Sequence, residues 1–215
     1  PRALAWSFLK AVRLVMLISC PLYFGMVVTA YPLVETLFGP KWTEMSPFVA
    51  ILALAMPVMT LQILFTPANN ALGRPQVTAR TNMFGAVLMP LTFIIAIQYG
   101  VYGLAWGWVI AFPLLTIFTY SQSHRHIGIS AREIGAAVWP GLSASVAMAA
   151  IVYCVDQMLP EMIVYARLVL LVGTGGLAYV GLLYILAKPT LIEAIRLIIR
   201  RKPPQPIAAE PGSEQ

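Results

Sequence analysis

The sequence predicts an all-α integral membrane protein with six transmembrane helices, and three observations predict it. First, six apolar stretches divide the 215 residues: Leu14–Phe38, Pro47–Thr66, Thr81–Ile97, Tyr102–Tyr120, Ala136–Val155 and Met162–Ala187. A helix needs about 20 apolar residues, or about 17 at the short end, to cross a hydrocarbon core. Second, 60% of residues are hydrophobic and 10% charged, against a soluble norm of about 25% charged. Third, the basic residues fall on alternate gaps. Arg2, Lys10 and Arg13 precede the first stretch, Arg74 and Arg80 follow the second, and Arg125 and Arg132 follow the fourth. Lys188, Arg196, Arg200, Arg201 and Lys202 follow the sixth, while the remaining gaps hold Lys41 and Arg167. Lys and Arg in short loops stay on the cytoplasmic side during insertion, so both ends of the chain are expected inside.

Lipid offers no hydrogen-bond partners, so each stretch must satisfy its backbone internally as a helix, despite many Val and Ile. The first is followed by an outer turn, Gly39–Ser46, with Pro40 and with Trp42 as a headgroup-level anchor. The second leads into an inner loop, Pro67–Arg80, and the third into a short outer turn, Gln98–Val101, built around Gly100. The fourth leads into the longest inner loop, Ser121–Gly135. There Ser130 precedes Glu133 by three residues, the spacing of a capping box, which predicts a helix start near Ser130. The fifth ends in the outer turn Asp156–Glu161. Residues 1–189 therefore form the transmembrane unit.

Beyond Pro189 the pattern changes. Leu191, Ile192, Ile195, Ile198 and Ile199 recur at helical spacing, with Glu193, Arg196 and Arg200 on the other face. This predicts an amphipathic interfacial helix over 190–202, its basic cluster at lipid phosphates. Residues 203–215, rich in Pro, Ala, Glu and Ser without periodicity, read as a disordered tail. The formal charge of +6 lies on one membrane face, which points to anionic lipid headgroups as partners and away from nucleic acid. The chain begins at Pro1, without Met, and is expected to be part of a longer polypeptide. Leu14–Phe38 is too long for the apolar core of a signal peptide.

Few residues offer chemistry. Cys20 and Cys154 lie in apolar stretches at different depths and read as small packing residues rather than a disulfide. Pro21, Pro32, Pro57, Pro90, Pro113 and Pro140 each remove a helical hydrogen bond and bend the spans, as suits a protein that rocks between states. Gly173-Thr174-Gly175-Gly176, Gly181, Gly103 with Gly107, and Gly141 with Ser145 read as surfaces for close helix approach, not as a phosphate loop. His124 and His126 lack the further ligands that a metal site needs. Glu35 is the one carboxylate inside a stretch; it either couples an ion or reaches water near the outer end. Asn69, Asn70, Gly73 and Arg74 end the second span, and Arg74 offers a planar fork suited to phosphate. The same residues also fit a helix C-cap followed by an ordinary inner-face arginine. No catalytic triad, paired carboxylates or metal cluster converges on one face, so no enzyme activity, cofactor or metal is expected.

The turn Leu37-Phe38-Gly39-Pro40-Lys41-Trp42 resembles the Phe-Gly-x-x-Trp turn of bacterial polysaccharide flippases. So do the Ile51-Leu52-Ala53-Leu54 span, the Asn70-Ala71-Leu72-Gly73-Arg74-Pro75 segment and the Tyr102-Gly103-Leu104-Ala105-Trp106 start of the fourth span. The order is similar to the C-terminal half of an O-antigen or oligosaccharide-lipid flippase, within the multidrug/oligosaccharidyl-lipid/polysaccharide exporter superfamily. That resemblance implies most of the second bundle of a two-bundle, MATE-like transporter in the bacterial inner membrane, completed by missing N-terminal helices. The implied substrate is a lipid-linked oligosaccharide carried on a polyprenyl diphosphate, with Arg74, Asn69, Asn70 and Arg13 as substrate-binding candidates and Glu35 for ion coupling. No Arg or Lys lies midway along any span, so cavity cations must come from elsewhere, or neutral groups such as Gln62, Thr60, Tyr120, Ser143 and Asn82 line this half. The other readings are a multidrug or cation extruder of the same superfamily, and a membrane-embedded glycan-pathway enzyme or assembly component.

Overall fold

The computed structural model describes residues 2–160 and 162–186, and among these no strand occurs. The expected interfacial helix over 190–202, the tail over 203–215 and Glu161 lie outside the described residues. The chain opens with α1 (Arg2–Val28) and α2 (Ala30–Phe38), followed by a 3-10 turn, Pro40–Met45. Then come α3 (Ser46–Ile63), α4 (Phe65–Ala71), α5 (Pro75–Ala96), α6 (Gly100–Ile127), α7 (Ala131–Met158) and α8 (Val164–Leu186).

Among the described residues five helical runs are long and apolar enough to cross a membrane, one fewer than the six stretches. The difference arises at Pro75–Ile127, which is continuously helical through a 3-10 turn at Ile97–Tyr99. This run folds back at Gly100, whose φ of 72° is a left-handed conformation that glycine adopts without strain. Phe84 then stacks on Phe118, with ring centroids 4.0 Å apart, and Phe93 meets Trp108 at 5.6 Å, so α5 and α6 are antiparallel limbs of one hairpin. A Cβ on Gly103 would sit on the Ala96 carbonyl oxygen and 2.6 Å from Tyr99 Cβ, so only glycine lets the limbs meet there.

The first span also differs from expectation. Its long helix starts at Arg2 and stops at Val28, so Lys10 and Arg13 are helical residues rather than parts of a preceding loop. Lys10 Nζ lies 4.8 Å from the centre of the Trp6 ring. Val28 stands four residues before Pro32, and Ile63, where α3 stops, stands four before Pro67. Proline has no N–H for the carbonyl four residues back, and its ring crowds that carbonyl. At the first break the Thr29 hydroxyl and N–H both donate to the Gly25 carbonyl at 2.9 Å, which closes the last turn of α1. Pro21, Pro57, Pro90, Pro113 and Pro140 sit inside helices without ending them.

α6 and α7 have 28 residues each, about 42 Å at 1.5 Å per residue, against a hydrocarbon core of about 30 Å. They extend toward the end that carries Arg125 and Arg132, and the expected loop Ser121–Gly135 reduces to Gly128–Ser130. Gly128, at φ 76°, donates its N–H to the His124 carbonyl at 2.9 Å. The capping box is present: Ser130 N–H donates to Glu133 Oε2 at 2.7 Å, and Glu133 N–H donates to Ser130 Oγ at 3.3 Å.

The long helices pack in the order α5, α6, α3, α1, α7, α8, with α2 bridging α3 and α8, and α4 bridging α5 and α6. One core, at the basic end, joins Val12 and Met16 of α1, Phe65 of α4, Ile127 of α6 and Ile134 of α7. A second joins Leu17 of α1 with Met148 and Val152 of α7 and Leu171 of α8, and a third joins Ala55 of α3 with Phe112 and Leu115 of α6. The outward faces are apolar as well: Met83, Val87, Leu91 and Ile94 on α5, and Trp106, Ile110, Leu114 and Ile117 on α6. A surface of this kind suits lipid rather than water. Cys20 is buried as expected, but Cys154 is exposed and packs no core; both thiols are free.

Candidate functional site

The polar groups collect at the two ends of the helices. At the basic end α4 closes on a tight turn: Gly73 N–H donates to the Asn70 carbonyl at 2.9 Å and Arg74 N–H to the Asn69 carbonyl at 3.1 Å. Gly73 has φ 65°, and Pro75 begins α5, where its missing N–H is not needed. The C-cap expected of this segment is therefore present, and it places three candidate residues on one turn with different exposures. Arg74 and Asn70 are exposed, and the Asn70 side-chain oxygen accepts from the Thr78 hydroxyl at 3.3 Å.

Asn69 is 1% exposed and donates its side-chain amide to Ser123 Oγ on α6 at 2.9 Å, while its Oδ1 has no partner. A buried amide held this way ties α4 to α6 and fixes the turn that carries Arg74; it cannot itself meet a ligand outside. Ser123, fully buried and 54 residues away in sequence, was not recognisable as its partner, since no local pattern links them. Arg13 is half-buried on α1, one residue from Val12 in the same core as Phe65 and Ala68.

The neutral candidates are dispersed. Asn82 is exposed on α5, Gln62 is half-buried on α3, and Tyr120 stacks on His124 with centroids 5.1 Å apart. The Thr60 and Ser143 hydroxyls donate within their own helices, to Met56 O at 2.8 Å and Pro140 O at 3.4 Å. His124 and His126 lie in the last turn of α6, and among the described residues no group of three or more His, Cys, Asp or Glu could hold a metal.

At the opposite end, Glu35 is half-buried on α2 and does not stand alone. The Arg167 guanidinium, at the start of α8, donates to Asp156 Oδ1 at 2.7 Å and lies within electrostatic range of Glu35 and Tyr31. Asp156 and Arg167 were readable only as turn residues; the two helix ends bring them together. An apolar cavity of about 420 Å3 opens between α1, α2, α7 and α8, bordered by Gly25, Gly175, Gly176 and Tyr179. The Tyr179 hydroxyl donates to the Leu17 carbonyl at 2.6 Å, fixing α8 on α1.

A family described as "Polysaccharide biosynthesis protein" matches residues 1–47. The matched stretch covers α1, α2, the 3-10 turn and the first two residues of α3. It includes the Phe38–Trp42 turn but neither Asn70–Pro75 nor Tyr102–Trp106. Over that stretch the chain is similar to a polysaccharide-biosynthesis family, and its helices give it a multi-pass membrane architecture. No curated protein and no solved structure matches the chain.

Proposed function

We propose that this chain is part of a flippase that moves polyprenyl-diphosphate-linked oligosaccharide across the bacterial inner membrane by alternating access. The observation that carries the reading is the match of residues 1–47 to a polysaccharide-biosynthesis family in a chain of apolar, membrane-length helices. On this reading α5 and α6 are separate spans, six in all, and the basic end faces the cytoplasm. The chain forms most of one bundle, the other bundle comes from the rest of the polypeptide, and the glycan passes between them.

The substrate headgroup carries two phosphates, and burying unpaired charge costs several kcal/mol or more. Arg74, exposed on its capped turn, attracts the diphosphate at the inner mouth, where charge-assisted bonds to phosphate are strong. Asn70 offers a neighbouring amide, and Arg13 adds positive charge from α1. Asn69 serves as a positioning residue through Ser123. Glu35, at the end where Asp156 pairs with Arg167, is the candidate for ion coupling. The protein moves its substrate without altering a covalent bond.

The test compares Arg74→Lys and Arg74→Gln in the full-length protein at matched expression, with glycan export as the readout. Lys keeps the charge but loses the bidentate fork, so export falls partly; Gln lowers it further. Wild-type export by Arg74→Gln would show that Arg74 sets topology alone.

A further inference from the structure

A cavity of about 520 Å3 lies under the 3-10 turn at the end opposite Arg74, within the range of small-molecule sites. Its floor is aliphatic, from Val27, Val28, Ala30 and Ala50. Its polar border is Tyr31, Thr43, Glu44, Ser46 and Tyr102. Tyr and Trp at this depth often serve as an interfacial belt, and Trp42 and Tyr99 need no other account. A belt does not explain Ser46. Ser46 is 4% exposed, begins α3, and its hydroxyl has no partner. Folding has already removed that hydroxyl from water, so a ligand group that reaches it recovers a hydrogen bond otherwise missing.

The chemistry narrows the ligand. Tyr31 and Tyr102 are each about half exposed and present aromatic surface, on which the C–H faces of a sugar ring pack. Glu44, exposed, accepts from sugar hydroxyls in charge-assisted bonds. The Thr43 hydroxyl donates to the Pro40 carbonyl at 2.9 Å, so its oxygen remains free to accept. No Lys or Arg borders the cavity, and Glu44 repels anions, which disfavours a phosphate. An organic cation without polar hydrogens would satisfy Glu44 and the aromatic rings but would bring nothing for Ser46.

We propose that the cavity bordered by Tyr31, Thr43, Glu44, Ser46 and Tyr102 is a saccharide-binding site that receives the glycan at the outer face. The proposal rests on the flippase reading for the direction of travel, but the site itself is defined by its own chemistry. It gives the sugar portion a landing place remote from Arg74, so Arg74 meets the headgroup before the crossing and this site meets the glycan after it.

The test uses the full-length protein in nanodiscs and neutral oligosaccharides released by mild acid from the lipid-linked glycans of the cells that make it. Binding is followed by saturation-transfer NMR, with tetraphenylphosphonium as the competing cation. Wild type and Cys154→Ser bind the oligosaccharides alike. Glu44→Gln, at the surface, lowers affinity about tenfold, as loss of one charge-assisted bond does. Ser46→Ala lowers affinity severalfold while leaving thermal stability unchanged, because its hydroxyl supports nothing in the unliganded fold. The proposal is overturned if wild type binds no oligosaccharide, if both variants bind like wild type, or if tetraphenylphosphonium alone occupies the cavity. Should export require the protein while Glu44→Gln and Ser46→Ala bind normally, the site fails and the flippase reading stands. Should the variants behave as stated while glycan export proceeds without the protein, the reverse holds.

Discussion

Replacing Gly141 by Ala tests the packing of α1 against α7, where the Met16 and Leu17 backbone comes close to the glycine. A Cβ at Gly141 would stand 3.1 Å from the Met16 carbonyl oxygen, 3.2 Å from Met16 C and 3.3 Å from the Leu17 nitrogen. Carbon contacts are optimal near about 3.5–4.0 Å, so α1 must retreat by a few tenths of an ångström. It is not free to do so, because the Tyr179 hydroxyl of α8, itself packed on α7, donates to the Leu17 carbonyl at 2.6 Å and holds α1 in place. On α7 the Ser145 hydroxyl donates to the Gly141 carbonyl at 2.6 Å, which discourages a compensating twist. Overpacking of this kind costs about 1–3 kcal/mol, and the intrinsic helix preference of Ala over Gly returns up to about 1 kcal/mol. The net expectation is a loss of about 1–2 kcal/mol. Gly176→Ala is the control: nothing lies within 4 Å of a Cβ there, so the helix preference acts alone and the change is neutral or stabilising. Equilibrium unfolding of purified protein in mixed micelles, followed by circular dichroism, measures both. A Gly141→Ala protein as stable as Gly176→Ala would refute the reasoning that α1 is held close against α7.

The Asn69–Ser123 pair predicts non-additivity: Ser123→Ala alone leaves a buried amide without a partner and costs about 1–3 kcal/mol. Asn69→Leu combined with Ser123→Ala removes both polar groups and falls within about 1 kcal/mol of wild type in the same unfolding experiment; a double variant worse than Ser123→Ala would contradict the pairing. For topology, single cysteines replace Arg74, Arg132 or Lys41 in a background lacking Cys20 and Cys154. In whole cells a membrane-impermeant maleimide labels position 41 and spares 74 and 132; labelling at 132 with protection at 41 would invert the map.

Much of the architecture was legible because its causes are local. The apolar stretches located α3 and α5 through α8 to within a turn or two, and the Ser130–Glu133 spacing gave the start of α7 from its own capping chemistry. The breaks at Thr29 and Leu64 were also written in the sequence, each three residues before a proline, Pro32 and Pro67, but the apolar run across each masked them. The continuous helix through Ile97–Tyr99 was hidden because Gly100 reads as a loop residue, whereas here it turns a helical hairpin. The candidate site was legible only in part. Asn69, Asn70 and Arg74 do share a turn, but composition does not say that Asn69 faces inward and Arg74 outward. That depends on Ser123, which tertiary packing supplies. Likewise Asp156 and Arg167 read as separate turn residues because only the packing of α8 on α7 brings them into an ion pair.

The most direct test of the flippase reading is the sidedness of lipid-linked oligosaccharide in cells with and without the full-length gene. Spheroplasts are exposed to a lectin or glycosidase that cannot cross the membrane, and the accessible fraction of the lipid-linked glycan is measured. The account predicts that deletion leaves the glycan accumulated and protected in the inner leaflet, and that the wild-type gene restores access, whereas Arg74→Gln restores it only partly. Equal accessibility in deleted and complemented cells would contradict the account.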